Sequence, residues 1–164
     1  MIEISEEKIK NFQRKIFSWW KEYKREFPWR ETTNPYHILV SEIMLQQTQA
    51  ERVVPKFLEF LDRFPTIEHL AKATPSEVLA LWSGLGYNKR AIYLQEAAQY
   101  LIKKKNFPKT PTDLQEIKGI GKYTSRSILI FAYNMDIATV DTNIRRILIA
   151  EGFATEEMKE KEAN

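Results

Sequence analysis

Apolar residues recur at three- and four-residue steps along most of this chain, the spacing of helices that bury one face. Over 5–26 they are Ile9, Phe12, Ile16, Trp19 or Trp20, and Tyr23, with charged side chains between them. This predicts a helix capped by Ser5 and ended by Phe27-Pro28-Trp29-Arg30. Later helix starts share one form, a capping side chain followed by proline: Asn34-Pro35, Thr74-Pro75-Ser76-Glu77 and Thr110-Pro111-Thr112-Asp113. Pro55 and Pro65 punctuate the segment between. Further helices are predicted over 35–48, 51–63, 67–72, 75–82, 87–104, 112–117, 122–134 and 142–151. No useful length alternates with period two, so the fold class is all-α.

The pattern centres on Leu114 to Asn143, where Gly119-Ile120-Gly121 separates two helices. Glycine reaches positive φ at no steric cost, so both glycines are expected to form a tight turn. The helix that follows, near Lys122, would aim its free amides into the turn, a seat for phosphate. An ordinary helix–helix turn explains the same residues. Gly84-Leu85-Gly86 echoes the motif.

Composition changes the picture in three ways. At 164 residues and 43% hydrophobic, the chain can bury a real core, in one domain or two small lobes. No apolar run approaches the ~20 residues needed to cross a bilayer, and the charged first segment does not resemble a secretory signal, so no membrane partner is expected. Cysteine is absent and only His37 and His69 are present, so neither cysteine-ligated clusters nor a histidine-rich metal site is expected. Charge is uneven: Gly84 to Arg126 carries nine Lys/Arg against three Asp/Glu, while the rest is net acidic. A basic segment holding both Gly-x-Gly turns suits a phosphate backbone, although Lys103–Lys105 reads as solvated surface.

Several residues could carry chemistry, each with a plainer alternative. Glu42 interrupts the apolar run Ile38–Leu45 and shares a helical stripe with Gln46 and Gln49. Half-sunk there it would hold its proton and suit a general acid; alternatively the stripe faces water. Asp141 opens a predicted helix, either as an ordinary N-cap or as an ionised carboxylate that stabilises positive charge, with Asn143 donating nearby. Tyr123 is a core aromatic or a polar group in the same cleft. Gln46, Gln47, Tyr87, Trp29 and Arg30 could enter a base stack or hold phosphate, or could be solvent-facing amides and loop anchors. Lys118, Gly119, Gly121 and Lys122 are the phosphate-binding candidates of the hairpin.

Together, PWRETTNPYHILVSEIMLQQTQ, LWSGLGYNKRA, IKGIGKYT and VDTNIRRIL resemble the helix-hairpin-helix DNA glycosylase superfamily, in its order and spacing. The likeness runs from about Phe27 to Gly152 and is greatest to the A/G-specific adenine glycosylases, through SEIMLQQTQ and GLGY. It implies a six-helix-barrel-type domain over 31–141, an N-terminal helix (1–30) belonging to an incomplete second lobe, and the start of that lobe with a polar tail (142–164). It implies a monofunctional base-excision-repair glycosylase acting on mismatched or oxidised double-stranded DNA, cytoplasmic and nucleoid-associated. Glu42 falls on the catalytic acid, Asp141 on the superfamily's aspartate and Asn143 on the asparagine that assists it. Tyr123 stands where bifunctional relatives carry the lyase lysine. Gln46 and Tyr87 fall on residues that wedge into the duplex.

The family's iron–sulfur lobe has no counterpart here, so no cofactor is expected, and a second polypeptide could supply the missing lobe and cover the aromatic face of the first helix. Excision of thymine or uracil from mismatches, a non-catalytic DNA-binding fragment and a helical interaction protein are the alternatives. In the implied reaction Glu42 protonates a flipped adenine while Asp141 stabilises the sugar cation, so the two carboxyls need opposite protonation states.

Overall fold

The computed structural model describes residues 4–104 and 106–157. Lys105 and 158–164, the end of the expected polar tail, lie outside the described residues. In chain order the described elements are α1 (Glu6–Tyr23), a 3-10 turn (Pro28–Arg30), α2 (Pro35–Leu45), α3 (Ala50–Arg63), α4 (Ile67–Lys72), α5 (Pro75–Trp82), α6 (Lys89–Leu101), α7 (Pro111–Gln115), α8 (Lys122–Tyr133) and α9 (Thr142–Ala150). No strand occurs among the described residues, so the all-helical reading holds.

The chain divides into two compact units, 27–137 and the two ends, 1–26 with 138–164. The divisions fall at 26/27 and 137/138, rather than at 30/31 and 141/142. Trp29 explains the first: its ring is only 1% exposed, stacked on Phe27 and set edge-on to Phe57 inside the larger unit.

α2 is the axis of the larger unit. Every residue from Ile38 to Met44 is buried, which an amphipathic helix would not allow. It packs against α8, α3 and α6. Phe60, Phe64, Leu70, Trp82, Leu94, Leu114, Ile128 and Leu129 complete the core. Each such side chain contributes roughly 1.5–3 kcal/mol by leaving water. The cap-and-proline starts form as their chemistry dictates. Asn34 accepts from the Tyr36 amide, Thr110 from that of Asp113, and Thr74 with Glu77 closes a reciprocal capping box.

Some boundaries differ from expectation. α1 stops at Tyr23 because Lys24 turns extended. Pro55, expected to punctuate, lies within α3. α2 stops at Leu45, since Gln46 is extended and Gln47 is left-handed at φ 55°. Gln46 and Gln49 therefore do not continue the Glu42 stripe on one helix. α6 starts only at Lys89, after a left-handed Tyr87 (φ 47°).

In the smaller unit, Ser5 caps α1 by accepting from the Lys8 amide. Phe12 packs on Phe153 at 4.7 Å, Lys8 donates to the Gly152 carbonyl at 3.0 Å, and Lys15 meets Glu151 at 3.7 Å. No residue of α1 or α9 is buried, and Phe17, Trp19, Trp20 and Tyr23 are all more than half exposed.

Candidate active site

The larger unit buries an acid. Glu42 is 5% exposed on α2, so the water-facing alternative fails. Burial raises its pKa to about 7, against the opposing pull of Arg30 and of the Ser127 hydroxyl. The carboxyl is therefore roughly half protonated at neutral pH.

Arg30 stands over this acid while keeping one side open to solvent. Its Nη1 lies 3.9 Å from Glu42 Oε1, and its guanidinium covers the Phe131 ring at 3.7 Å. Desolvation lowers the Arg30 pKa, while Glu42 and then Tyr123 raise it. Tyr123, on the first turn of α8, is 41% exposed and joins the same electrostatic group, so the core-aromatic alternative does not hold. Trp29 needs correction too. Buried between Phe27 and Phe57, it anchors the turn that presents Arg30 and offers no ring to a base stack.

The hairpin is asymmetric. Gly119 takes φ +90°, and a Cβ there would lie 3.0 Å from Tyr93 Cβ, so glycine is required twice over. Gly121 does not share that conformation. At φ −90°, ψ −176° it is extended, caps α8, and has nothing within 4 Å of a built Cβ. Lys122 opens α8 on the exposed side, while Lys118 pairs with Glu96 at 3.4 Å and covers the Tyr93 ring. Gln46 bridges to this hairpin, donating to the Gly119 carbonyl at 3.3 Å and to Thr124 Oγ1 at 3.5 Å.

Two clefts of about 610 and 820 Å³ flank Gln47 and Tyr87. Thr48, Arg52 and Ser83 line the first, and Lys89 and Arg90 the second. Gln47 and Tyr87 are both non-glycine and left-handed, and Tyr87 is 65% exposed. Such conformations cost ~1–2 kcal/mol each and persist only where neighbours fix them.

Arg90, which the sequence reading passed over, does the fixing. Its Nη1 donates to the carbonyls of Ile43 (3.0 Å), Met44 (2.9 Å) and Gln46. Its Nη2 donates to Thr48 Oγ1 (3.0 Å), Leu85 O (3.1 Å) and Gly86 O (3.1 Å). One buried guanidinium thus satisfies the open carbonyls at the end of α2, where the helix dipole also favours a cation. It grips the residue just before each left-handed tip. The signal available was an arginine three residues after Gly-x-Gly-Tyr, with no acid nearby.

In the smaller unit Asp141 is the N-cap of α9, accepting from the Ile144 amide at 2.6 Å. Asn143 Nδ2 lies 3.5 Å from its other oxygen. Among the described residues, no group of three or more His, Cys, Asp or Glu gathers as a metal site, and no helix is long and apolar enough to cross a membrane.

A family model described as HhH-GPD superfamily base excision DNA repair protein matches residues 40–164. Adenine DNA glycosylase of Buchnera aphidicola subsp. Baizongia pistaciae is 40% identical over 141 residues, which are 84% of this chain and 40% of that protein. The chain thus spans less than half the length of that curated relative. A thermostable thymine-DNA glycosylase structure superposes with TM-score 0.81 at 32% identity, over 87% of this chain and 67% of the other. A trapped endonuclease III–DNA covalent intermediate shares the fold at TM-score 0.85 and 18% identity, over 98% of this chain and 76% of the other.

Proposed function

The chain belongs to the HhH-GPD superfamily of base excision DNA repair proteins, and from that premise we propose that it is a DNA N-glycosylase that removes adenine mispaired with 8-oxoguanine or guanine in duplex DNA. The observation that carries the reading is Glu42, a buried carboxyl poised near neutrality beside Arg30. An acid of that strength gives up a proton readily at physiological pH and is still half loaded with one.

The target base turns out of the stack, because its glycosidic bond is otherwise unreachable. Tyr87, exposed at its strained tip, enters the gap, and the basic hairpin with Lys122 grips the flanking phosphates. Glu42 passes its proton to a ring nitrogen of adenine, and the C–N bond breaks with its electron pair leaving on the base. The resemblance gives Asp141 the task of stabilising the sugar cation; in its own unit it accepts from the Ile144 amide, with Asn143 beside its other oxygen. Water then adds to the sugar carbon. Tyr123 holds no amine for a Schiff base, so the strand is not cut.

The adenine-glycosylase relative supports adenine as the base, and the thymine-DNA glycosylase structure supports thymine in G·T pairs as the second reading. The exposed aromatic face of α1 supports a further helical lobe seated there. The test is single-turnover base release on duplexes with 8-oxoguanine·A, G·A and G·T, with alkali to cut abasic sites. Adenine release is expected. Thymine release alone moves the chain to the second reading, and salt-sensitive binding without release refutes both. Asp141→Asn should abolish release and spare DNA binding; full release by that variant would sink the role given to Asp141.

A further inference from the structure

Ser127 is a buried polar group that the proposed reaction leaves unused. Its side chain is fully buried and its Oγ reaches no partner at full hydrogen-bonding geometry, although the hydroxyl lies near enough to the Glu42 carboxyl to pull its pKa down. A buried hydroxyl in that state is destabilising, so its presence calls for a cause.

Its place on α8 supplies one. Tyr123, Ser127 and Phe131 follow at four-residue steps and share one stripe of the helix. Both outer members of the stripe lie by Arg30, Phe131 under its guanidinium and Tyr123 near enough to bear on its titration. Arg30 in turn reaches Glu42. Ser127 sits between the two, where α8 packs on α2, with its hydroxyl beside the Glu42 carboxyl.

We propose that Ser127 is a positioning residue for Glu42, its Oγ–H donating a hydrogen bond to the carboxylate that forms as Glu42 hands its proton to the base. The inference rests on Glu42 being the general acid. In that step the Glu42 O–H bond breaks and an N–H bond forms on the base, leaving a negative charge on a buried side chain. A donor already aimed at that charge costs no reorganisation when it appears. Contacts of this kind are often long at rest and tighten during reaction. The other groups facing Glu42 are Arg30 from the 3-10 turn and Tyr123 from α8. α6 brings Arg90, whose guanidinium nitrogens donate to the carbonyls beyond it, and α3 brings no charged group coupled to Glu42 among the described residues.

The test compares Ser127→Ala and Ser127→Thr in the intact chain. The Glu42 midpoint is read by carbon-13 NMR of its carboxyl carbon without DNA, and single-turnover base release from about pH 5 to about pH 9. Ser127→Ala should raise the midpoint by about one unit, the loss of one charge-assisted donor. The alkaline limb of the rate profile should move up with it, and the acid-side plateau should fall about ten-fold. Ser127→Thr, which keeps the hydroxyl, should restore both values. An unchanged midpoint in Ser127→Ala overturns the proposal whatever the rate does. A shifted midpoint with an unchanged plateau overturns the transition-state role. A shifted midpoint in a chain whose wild type releases no base upholds the Ser127–Glu42 contact and counts against the glycosylase reading instead.

Discussion

Glu42 should make this protein less stable as pH rises through neutrality, and Glu42→Gln should remove that loss. The folded-state pKa is about 7 against an ordinary 4.5, with burial the largest cause. The folded chain therefore holds the proton more tightly than the unfolded chain does. Its contribution to stability is fully present below about pH 4.5 and is lost as pH rises through about 7. At ~1.4 kcal/mol per pH unit, the interval is worth about 3 kcal/mol, a large share of a typical domain's stability. Glutamine keeps the shape and carries no charge, so its own contribution has no slope. Urea unfolding of both proteins between about pH 5 and about pH 8 isolates the effect, because every other titrating group is common to the pair. The stability difference should move by about 2.5 kcal/mol in favour of Glu42→Gln across that range. Parallel curves would refute the reasoning. A shift of opposite sign would mean that Arg30 keeps the carboxylate ionised and outweighs burial. In the base-release assay the same variant should lose at least ~100-fold, the usual contribution of a general acid.

Arg90→Met should cost ~3–5 kcal/mol in urea unfolding, because five backbone carbonyls and the Thr48 hydroxyl lose their donor together. Arg90→Lys should recover only part of this, since an ammonium has three donors and no fork. Gly119→Ala should cost ~2 kcal/mol or more in thermal or urea unfolding, through positive φ and the 3.0 Å approach to Tyr93. Gly121→Ala, at an ordinary φ with open space for the Cβ, should stay within ~0.5 kcal/mol of wild type.

How much of this was legible depends on where each residue's role is decided. Helix starts could be read because their cause is local: Asn34, Thr74 and Thr110 cap amides two or three residues away, and proline follows each. Helix ends were harder. Nothing local stops α2 at Leu45; the chain leaves the helix at Gln46 because Arg90, more than forty residues on, takes the Gln46 carbonyl and those of Ile43 and Met44. The Glu42 alternative was undecidable for the same reason. A carboxylate in ILVSEIML faces water or core depending on whether another helix covers that side, and α8 does. Gly119 and Gly121 look equivalent as letters, yet only the first meets another chain segment, Tyr93.

Trp29 and Arg30 carry the point furthest, because adjacent residues read as one DNA-facing pair have opposite roles. A 3-10 turn points consecutive side chains in different directions, about 120° apart. Once Trp29 is drawn into the core by Phe27 and Phe57, Arg30 must leave in another direction. That direction is set by Phe131, whose ring face takes the guanidinium at 3.7 Å. Held there, Arg30 reaches Glu42 at 3.9 Å and opposes, without cancelling, the effect of burial on its proton. An arginine turned wholly to solvent could grip phosphate but could not tune an acid. The tuning therefore starts from a tryptophan that is no part of the ion pair, and a sequence motif records its presence but not its purpose.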